Sequence, residues 1–119
     1  MKILVIEDEV MVLKAIEFKL KKSGFEVFTA TDGTLALEQI KLQSFDCILT
    51  DLMIPFFSGL EIINHVRNVL ASKTPIIVLS AIGQEQSIIE AFKLGANDYM
   101  TKPFSPNELL IRIHKQTMI

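Results

Sequence analysis

Four apolar runs in this chain stop at residues that can do chemistry. Ile3-Leu4-Val5-Ile6 ends in Glu7 and Asp8, Cys47-Ile48-Leu49 ends in Thr50 and Asp51, Ile76-Ile77-Val78-Leu79 ends in Ser80, and the stretch from Asp98 to Thr101 is followed by Lys102 and Pro103. Brought together, these ends would collect three carboxylates, a hydroxyl and an ammonium. At about 5 Å and an effective dielectric of about 20, each carboxylate pair repels by roughly 3 kcal/mol. The cluster therefore needs compensation, either by a raised carboxyl pKa or by cations. Lys102 supplies one positive charge. The remainder suits a hard divalent ion with oxygen ligands, and Mg²⁺ fits best because it takes one or two carboxylates and keeps several waters. No histidine or cysteine stands in the cluster, which argues against zinc.

The elements that must position these residues follow from periodicity. Five apolar runs, from Lys2 to Ile6, Phe25 to Ala30, Asp46 to Thr50, Pro75 to Ser80 and Asp98 to Thr101, alternate with five segments of helical spacing. The first, third and fourth runs are nearly continuous in Ile, Leu and Val, as in central strands of a parallel sheet covered on both faces. The second, Phe25-Glu26-Val27-Phe28-Thr29-Ala30, mixes polar and apolar residues and reads as an edge strand. Val12, Ile16 and Leu20 mark the apolar stripe of the first helix, and Gly24 follows as a left-handed cap. Ser58 with Glu61 forms a capping box for the third helix, and Ser105, Pro106 and Glu108 repeat the device for the fifth, which is expected to run to the chain end at Ile119. Gly95 is expected to end the fourth helix, whose start is blurred by Gly83 and Ser87. Strict alternation implies right-handed crossovers and an open parallel sheet with helices on both faces. Such sheets bind ligands outside the carboxyl ends of their strands. That is where Glu7, Asp8, Asp51, Ser80 and Lys102 fall.

Bulk properties narrow the function classes. The 119 residues, half of them apolar, suit one domain with its own core, and no linker or repeat divides them. A net charge of −2, with no basic cluster longer than Lys21-Lys22, gives no general nucleic-acid surface. The lone Cys47 fits a reducing compartment and a packing role. No run approaches the roughly 20 apolar residues of a membrane span, and the N-terminal stretch is too short for a secretory core, so a soluble cytoplasmic protein is expected. His65 and His114 have no partner at metal spacing and read as helix-surface residues.

With Glu7-Asp8, Ile48-Leu49-Thr50-Asp51-Leu52-Met53-Ile54-Pro55, Pro75-Ile76-Ile77-Val78-Leu79-Ser80-Ala81 and Gly95-Ala96-Asn97-Asp98-Tyr99-Met100-Thr101-Lys102-Pro103-Phe104 in this order, the chain resembles the receiver domain of two-component response regulators over its whole length. The resemblance implies a flavodoxin-like (βα)5 fold, with sheet order 2-1-3-4-5, over residues 1–119. It implies a phosphorylation switch that catalyses only its own phosphorylation and dephosphorylation. Asp51 would accept the phosphoryl group from the phosphohistidine of a sensor kinase or phosphotransfer protein. Asp8, Asp51 and the Met53 carbonyl would hold Mg²⁺, with Glu7 assisting through water. Lys102 would pair with Asp51 and then with a phosphoryl oxygen. Ser80 would hydrogen-bond another such oxygen, and Tyr99 would turn inward with it. The Lys102-Pro103 peptide is expected to be cis. Any output domain would lie outside this chain, and the receiver itself would not touch nucleic acid.

Some positions depart from the family pattern. Phe56-Phe57-Ser58-Gly59 stands where a Gly-rich or Met-Asp-Gly turn is common, and two phenylalanines there could form an exposed apolar contact surface. Met53 and Ile82 are apolar at variable positions that in the family affect access of water to the phosphoryl group, so the resemblance implies a fairly persistent phosphoryl state. Asp98, Glu108 and Arg112 match the charge pattern of a homodimer through the fourth helix, fifth strand and fifth helix, whereas Ile88, Lys93, Asn97 and His114 do not; the Ile88-Ile89 pair suggests another interface. Glu9 is explained by the helix dipole alone. Three other readings stand beside the receiver: a Mg²⁺-dependent phosphohydrolase, a flavin carrier and a phosphorylation-independent interaction module. The first needs a second acid and a substrate pocket. The second wants a phosphate-cradling loop where Glu7-Asp8-Glu9 would repel phosphate. Intact Asp8, Asp51, Ser80 and Lys102 speak against the third.

Overall fold

Ile3 to Ile6 are wholly buried, so the first strand is covered on both faces and its aliphatic run has no solvent side to reserve for polar residues. At roughly 2 kcal/mol per buried aliphatic side chain, this run alone offsets the repulsion of a carboxylate pair set at its end. The computed structural model describes residues 1–81 and 83–117. Along them run β1 (Lys2–Ile6), α1 (Val10–Lys22), β2 (Glu26–Ala30), α2 (Gly33–Leu42), β3 (Cys47–Asp51), α3 (Gly59–Asn64), β4 (Ile76–Ser80), α4 (Glu85–Leu94), β5 (Asp98–Thr101) and α5 (Pro106–Thr117). The strands are parallel in the order β2-β1-β3-β4-β5, with β2 at an edge. This is the flavodoxin-like arrangement expected from the alternation. Ile82, expected to limit water access, and the expected end of the last helix at Ile119 lie outside the described residues.

Period-2 alternation sorts the core into two layers. Leu4, Ile6, Ile48, Ile76 and Val78 pack on one face of the sheet with Ala36 of α2, Ile62 and Ile63 of α3 and Ala91 of α4. Ile3, Val5, Cys47, Leu49, Ile77 and Leu79 pack on the other with Leu13, Ile16 and Leu20 of α1 and Leu109 and Ile113 of α5. Cys47 is one of these wholly buried residues, and burial pushes its thiol up to about 12, which leaves it a packing group.

The register of the ladders then places the chemistry. Ile6 pairs with Thr50, Asp51 with Leu79, and Ser80 with Thr101, so the residues at and just past these pairs leave the sheet side by side. Slipping any strand by one residue would turn its acid or hydroxyl to the other face.

Caps hold the loops that follow. Ser58 and Glu61 form the expected capping box, the Glu108 N–H donates to Ser105 Oγ, and Gly95 ends α4 at φ +117. Asp32 caps α2 by accepting from the Leu35 N–H, a device the sequence reading did not pick out. Gly59 cannot be enlarged without displacing backbone: an added Cβ would lie 2.4 Å from the Asp51 carbonyl oxygen and 2.8 Å from the Leu52 Cα. The β3–α3 loop therefore folds directly back over the strand that carries Asp51.

One element was not foreseen. The helix after Asn64 widens into a π turn, His65–Val69. Beside it Arg67 donates to the Gly95 and Ser72 carbonyls and to Asn97 Oδ1, while Asn97 Oδ1 also accepts from the Ile76 N–H. The clamp ties the end of α3 to the C-terminus of α4 and the start of β4. Among the described residues, no helix is long and apolar enough to cross a membrane.

Candidate phosphoacceptor and metal site

Glu7, Asp8 and Asp51 each offer a carboxylate oxygen within 4.8 Å of the others, which is the convergence expected from the strand ends. Their environments differ. Glu7 is fully buried and Asp51 nearly so, whereas Asp8 is exposed at the mouth. Three acids of unequal solvation share one pocket.

Lys102 fills the pocket's positive position. Its Nζ lies 2.6 Å from Asp51 Oδ2 and 2.5 Å from Glu7 Oε1, with Glu9 Oε1 at 3.7 Å. The other oxygens of the two buried acids are also used: Asp51 Oδ1 accepts from the Met53 N–H at 3.1 Å, and Glu7 Oε2 from the Glu9 N–H at 3.0 Å. Burial raises the Glu7 carboxyl above its ordinary range, against the lowering pull of the Lys102 hydrogen bond. Burial would by itself lower the Lys102 ammonium, but the hydrogen bonds to Asp51 and Glu7 outweigh it and leave its pKa raised. The expected Lys102–Asp51 pair is present. The bridge onward to Glu7 was not anticipated, and Glu9, read as a helix-start acid, also faces Lys102 while making no side-chain cap.

The remaining candidates lie around this centre. Ser80 is fully buried, and its hydroxyl donates to the Met100 carbonyl through a long 3.4 Å bond. Tyr99, one residue before Met100, points outward, 40% exposed, with its ring edge-on to Phe92 at 5.9 Å. Met53 is exposed beside Asp51, and the Lys102-Pro103 peptide is cis. Thr50 satisfies backbone, donating to the Asp51 carbonyl. From Glu9 and Lys102 an apolar groove of about 610 Å³ runs along Met11, Val12 and Ile16 of α1 and past Phe104 and Leu109.

Several secondary expectations are refined. Of the Ile88-Ile89 pair, only Ile89 is exposed, because Ile88 packs against the core. Both phenylalanines are exposed as expected, Phe56 at 78% and Phe57 at 37%, with the Cβ and backbone of Phe57 against Gly33. His65 is half-buried, with its Nε2 enclosed and without a partner among the described residues; it is not a plain surface residue. His114 is exposed as expected and stacks obliquely near Phe25. Asp98, Glu108 and Arg112 are paired with one another within the chain. Asn97, which does not fit the dimer charge pattern, serves the Arg67 clamp.

Comparison with known proteins shows the family and the fold. The model of the response regulator receiver domain family matches residues 3–114. The transcriptional regulatory protein SrrA of Staphylococcus aureus is 37% identical over 111 residues, a match that covers 93% of this chain and 45% of the relative. The chain thus spans less than half the length of that curated relative. The receiver domain of Francisella response regulator 1452 superposes with a TM-score of 0.90 at 35% identity, covering 98% of this chain and 95% of the other. The chemotaxis response regulator CheY4 of Vibrio cholerae does so with 0.89 at 31% identity, covering 97% of each.

The shared ammonium has a measurable signature. Because Lys102 lowers the Glu7 carboxyl, its removal raises that pKa further above the ordinary 4.5. A buried acid with a raised pKa makes the fold lose stability as pH climbs from the unfolded value through the folded one, and the variant widens that window toward neutrality. Lys102→Met is therefore expected to lose about 3 kcal/mol in urea unfolding near pH 7 and distinctly less near pH 5. An equal loss at both would show that Glu7 does not depend on Lys102.

Proposed function

The chain belongs to the response regulator receiver domain family of two-component systems, and on that footing we propose that Asp51 is its phosphoacceptor. The observation that carries the reading is the single ammonium held between a nearly buried Asp51 and a buried Glu7, with a third carboxylate at the mouth. The residues fit a magnesium ion. Asp8 and Asp51 would hold it with the Met53 carbonyl, and Glu7, the most deeply buried of the three acids, would act through water. When bound, Mg²⁺ would screen the incoming phosphoryl charge and polarise its oxygens.

The chain's own residues would do the rest. An oxygen of Asp51 attacks the phosphorus of a phosphohistidine, an O–P bond forms, the N–P bond breaks, and the histidine nitrogen keeps the electron pair and takes a proton. As Asp51 loses its own charge to the ester-like link, Lys102 stays within reach of the transferred oxygens and neutralises them. The Ser80 hydroxyl exchanges its long bond to Met100 for a phosphoryl oxygen. That contact exists only in the phosphorylated state, so it shifts the population of two arrangements. The outward Tyr99 would follow Ser80 inward and leave Phe92, changing the α4–β5 surface. The greater length of the curated relative, a transcriptional regulator, supports an output domain as the reader of that change. The donor would be a cytoplasmic sensor kinase or a phosphotransfer protein.

Incubation with Mg²⁺ and phosphoramidate is expected to add one phosphoryl group per chain, labile to hydroxylamine and missing from Asp51→Asn by intact mass. No adduct on the wild type would refute the assignment. The exposed, apolar Met53 offers no hydrogen bond to an attacking water. Met53→Asn is thus expected to shorten the lifetime of the adduct severalfold, and a lengthened lifetime would contradict a shielding role for Met53.

A further inference from the structure

Phe56 stands in a conformation that its residue type disfavours. Its φ is +72, and the Phe57 N–H donates to the Pro55 carbonyl across it, a two-residue closure of the rare and strained γ-turn kind. The side chain so placed is 78% exposed and has no aromatic partner among the described residues. Backbone strain and an exposed phenyl ring are both unfavourable within this chain. Glycine would remove the first and asparagine would lessen both.

The surroundings hold the ring outward. The Pro55 carbonyl also accepts from the Gly33 N–H at the start of α2, and Phe57 covers Gly33 so closely that an added Cβ there would lie 2.5 Å from the Phe57 Cβ. The Gly59 N–H donates to the Leu52 carbonyl and closes the loop from its far side. Residues 55 and 57 are fastened to the fold, and Phe56 is the projecting point between them. The loop begins at Asp51 itself, whose Oδ1 holds the Met53 N–H, and Met53, three residues before Phe56, is 66% exposed. The apolar groove along α1 is lined at its polar end by Lys102, the partner of Asp51.

We infer that Phe56 is a specificity-determining contact for the protein phosphodonor, seated against apolar residues that flank the donor's phosphohistidine. The occupant follows from position: a protein that brings a phosphohistidine to a carboxylate as buried as Asp51 comes against the loop that leaves it, which carries the exposed Met53 and Phe56. A small phosphodonor need not touch that loop. The inference rests on the phosphoacceptor reading above and separates from it by this difference.

The test uses the autophosphorylated sensor kinase that phosphorylates the wild-type chain fastest in a panel of purified kinases, with phosphoramidate in parallel. Phe56→Gly is expected to lower kcat/KM for phosphotransfer from the kinase about tenfold, to leave the rate with phosphoramidate unchanged, and to melt no lower than wild type. Phe56→Leu is expected to recover most of the kinase rate. An unchanged kinase kcat/KM in Phe56→Gly overturns the inference, and so does an equal loss with phosphoramidate, which would place the effect on the chemistry. Failure of the wild type to be labelled by phosphoramidate would instead remove the phosphoacceptor reading, and this inference with it.

Discussion

The structure depends on one shared ammonium. Lys102 arrives from beyond the fifth strand and stands between Glu7 of the first and Asp51 of the third, with Glu9 just beyond. Without it, two carboxylates of low exposure would meet in a pocket that water reaches poorly, and the repulsion would fall on the strands that form the sheet's centre. The same arrangement leaves an excess of negative charge, three pocket acids against one cation, so the pocket remains attractive to a further cation. Stability and reactivity are set by one balance. A site that were neutral by itself would be a tighter core and a worse place to bring a phosphoryl group.

The sheet explains why such a balance can be held. Aliphatic residues on both faces of β1, β3 and β4 fix the register, and the register sets Glu7, Asp51, Ser80 and Lys102 at neighbouring strand ends. The loops beyond are anchored by backbone contacts, most tightly where Gly59 passes the Asp51 carbonyl. Softer contacts lie further along: Ser80 holds Met100 by a long bond, and Tyr99 meets Phe92 at the surface. A firmly held Asp51 beside a loosely held hydroxyl and an outward aromatic ring suits the two-state switching proposed for this site.

The fold was legible because burial on both faces makes strands read as continuous apolar runs, and because Ser58-Glu61, Ser105-Pro106 and Gly95 punctuate the helices. The convergence of the three acids was legible for the same reason, since parallel strands expose their carboxyl ends together. Partner choice within the cluster was not. The Glu7–Lys102 bond joins residues 95 positions apart, and which of three acids takes the ammonium is decided by side-chain reach and burial. The π turn at His65–Val69 left no sign either, because its apolar spacing continues that of α3 and its cause, the Arg67 clamp, is tertiary. Phe56 was visible as an oddity of composition, but only the backbone shows that it stands in the left-handed region while the next residue packs its Cβ and backbone against Gly33.

Calorimetric titration with Mg²⁺ decides whether the strand-end carboxylates form a cation site around Asp51. One ion is expected per wild-type chain, with binding lost or strongly weakened in Asp8→Asn and Asp51→Asn while both variants keep the wild-type circular dichroism spectrum. Absence of Mg²⁺ uptake by the wild type, or undiminished affinity in both variants, would contradict it.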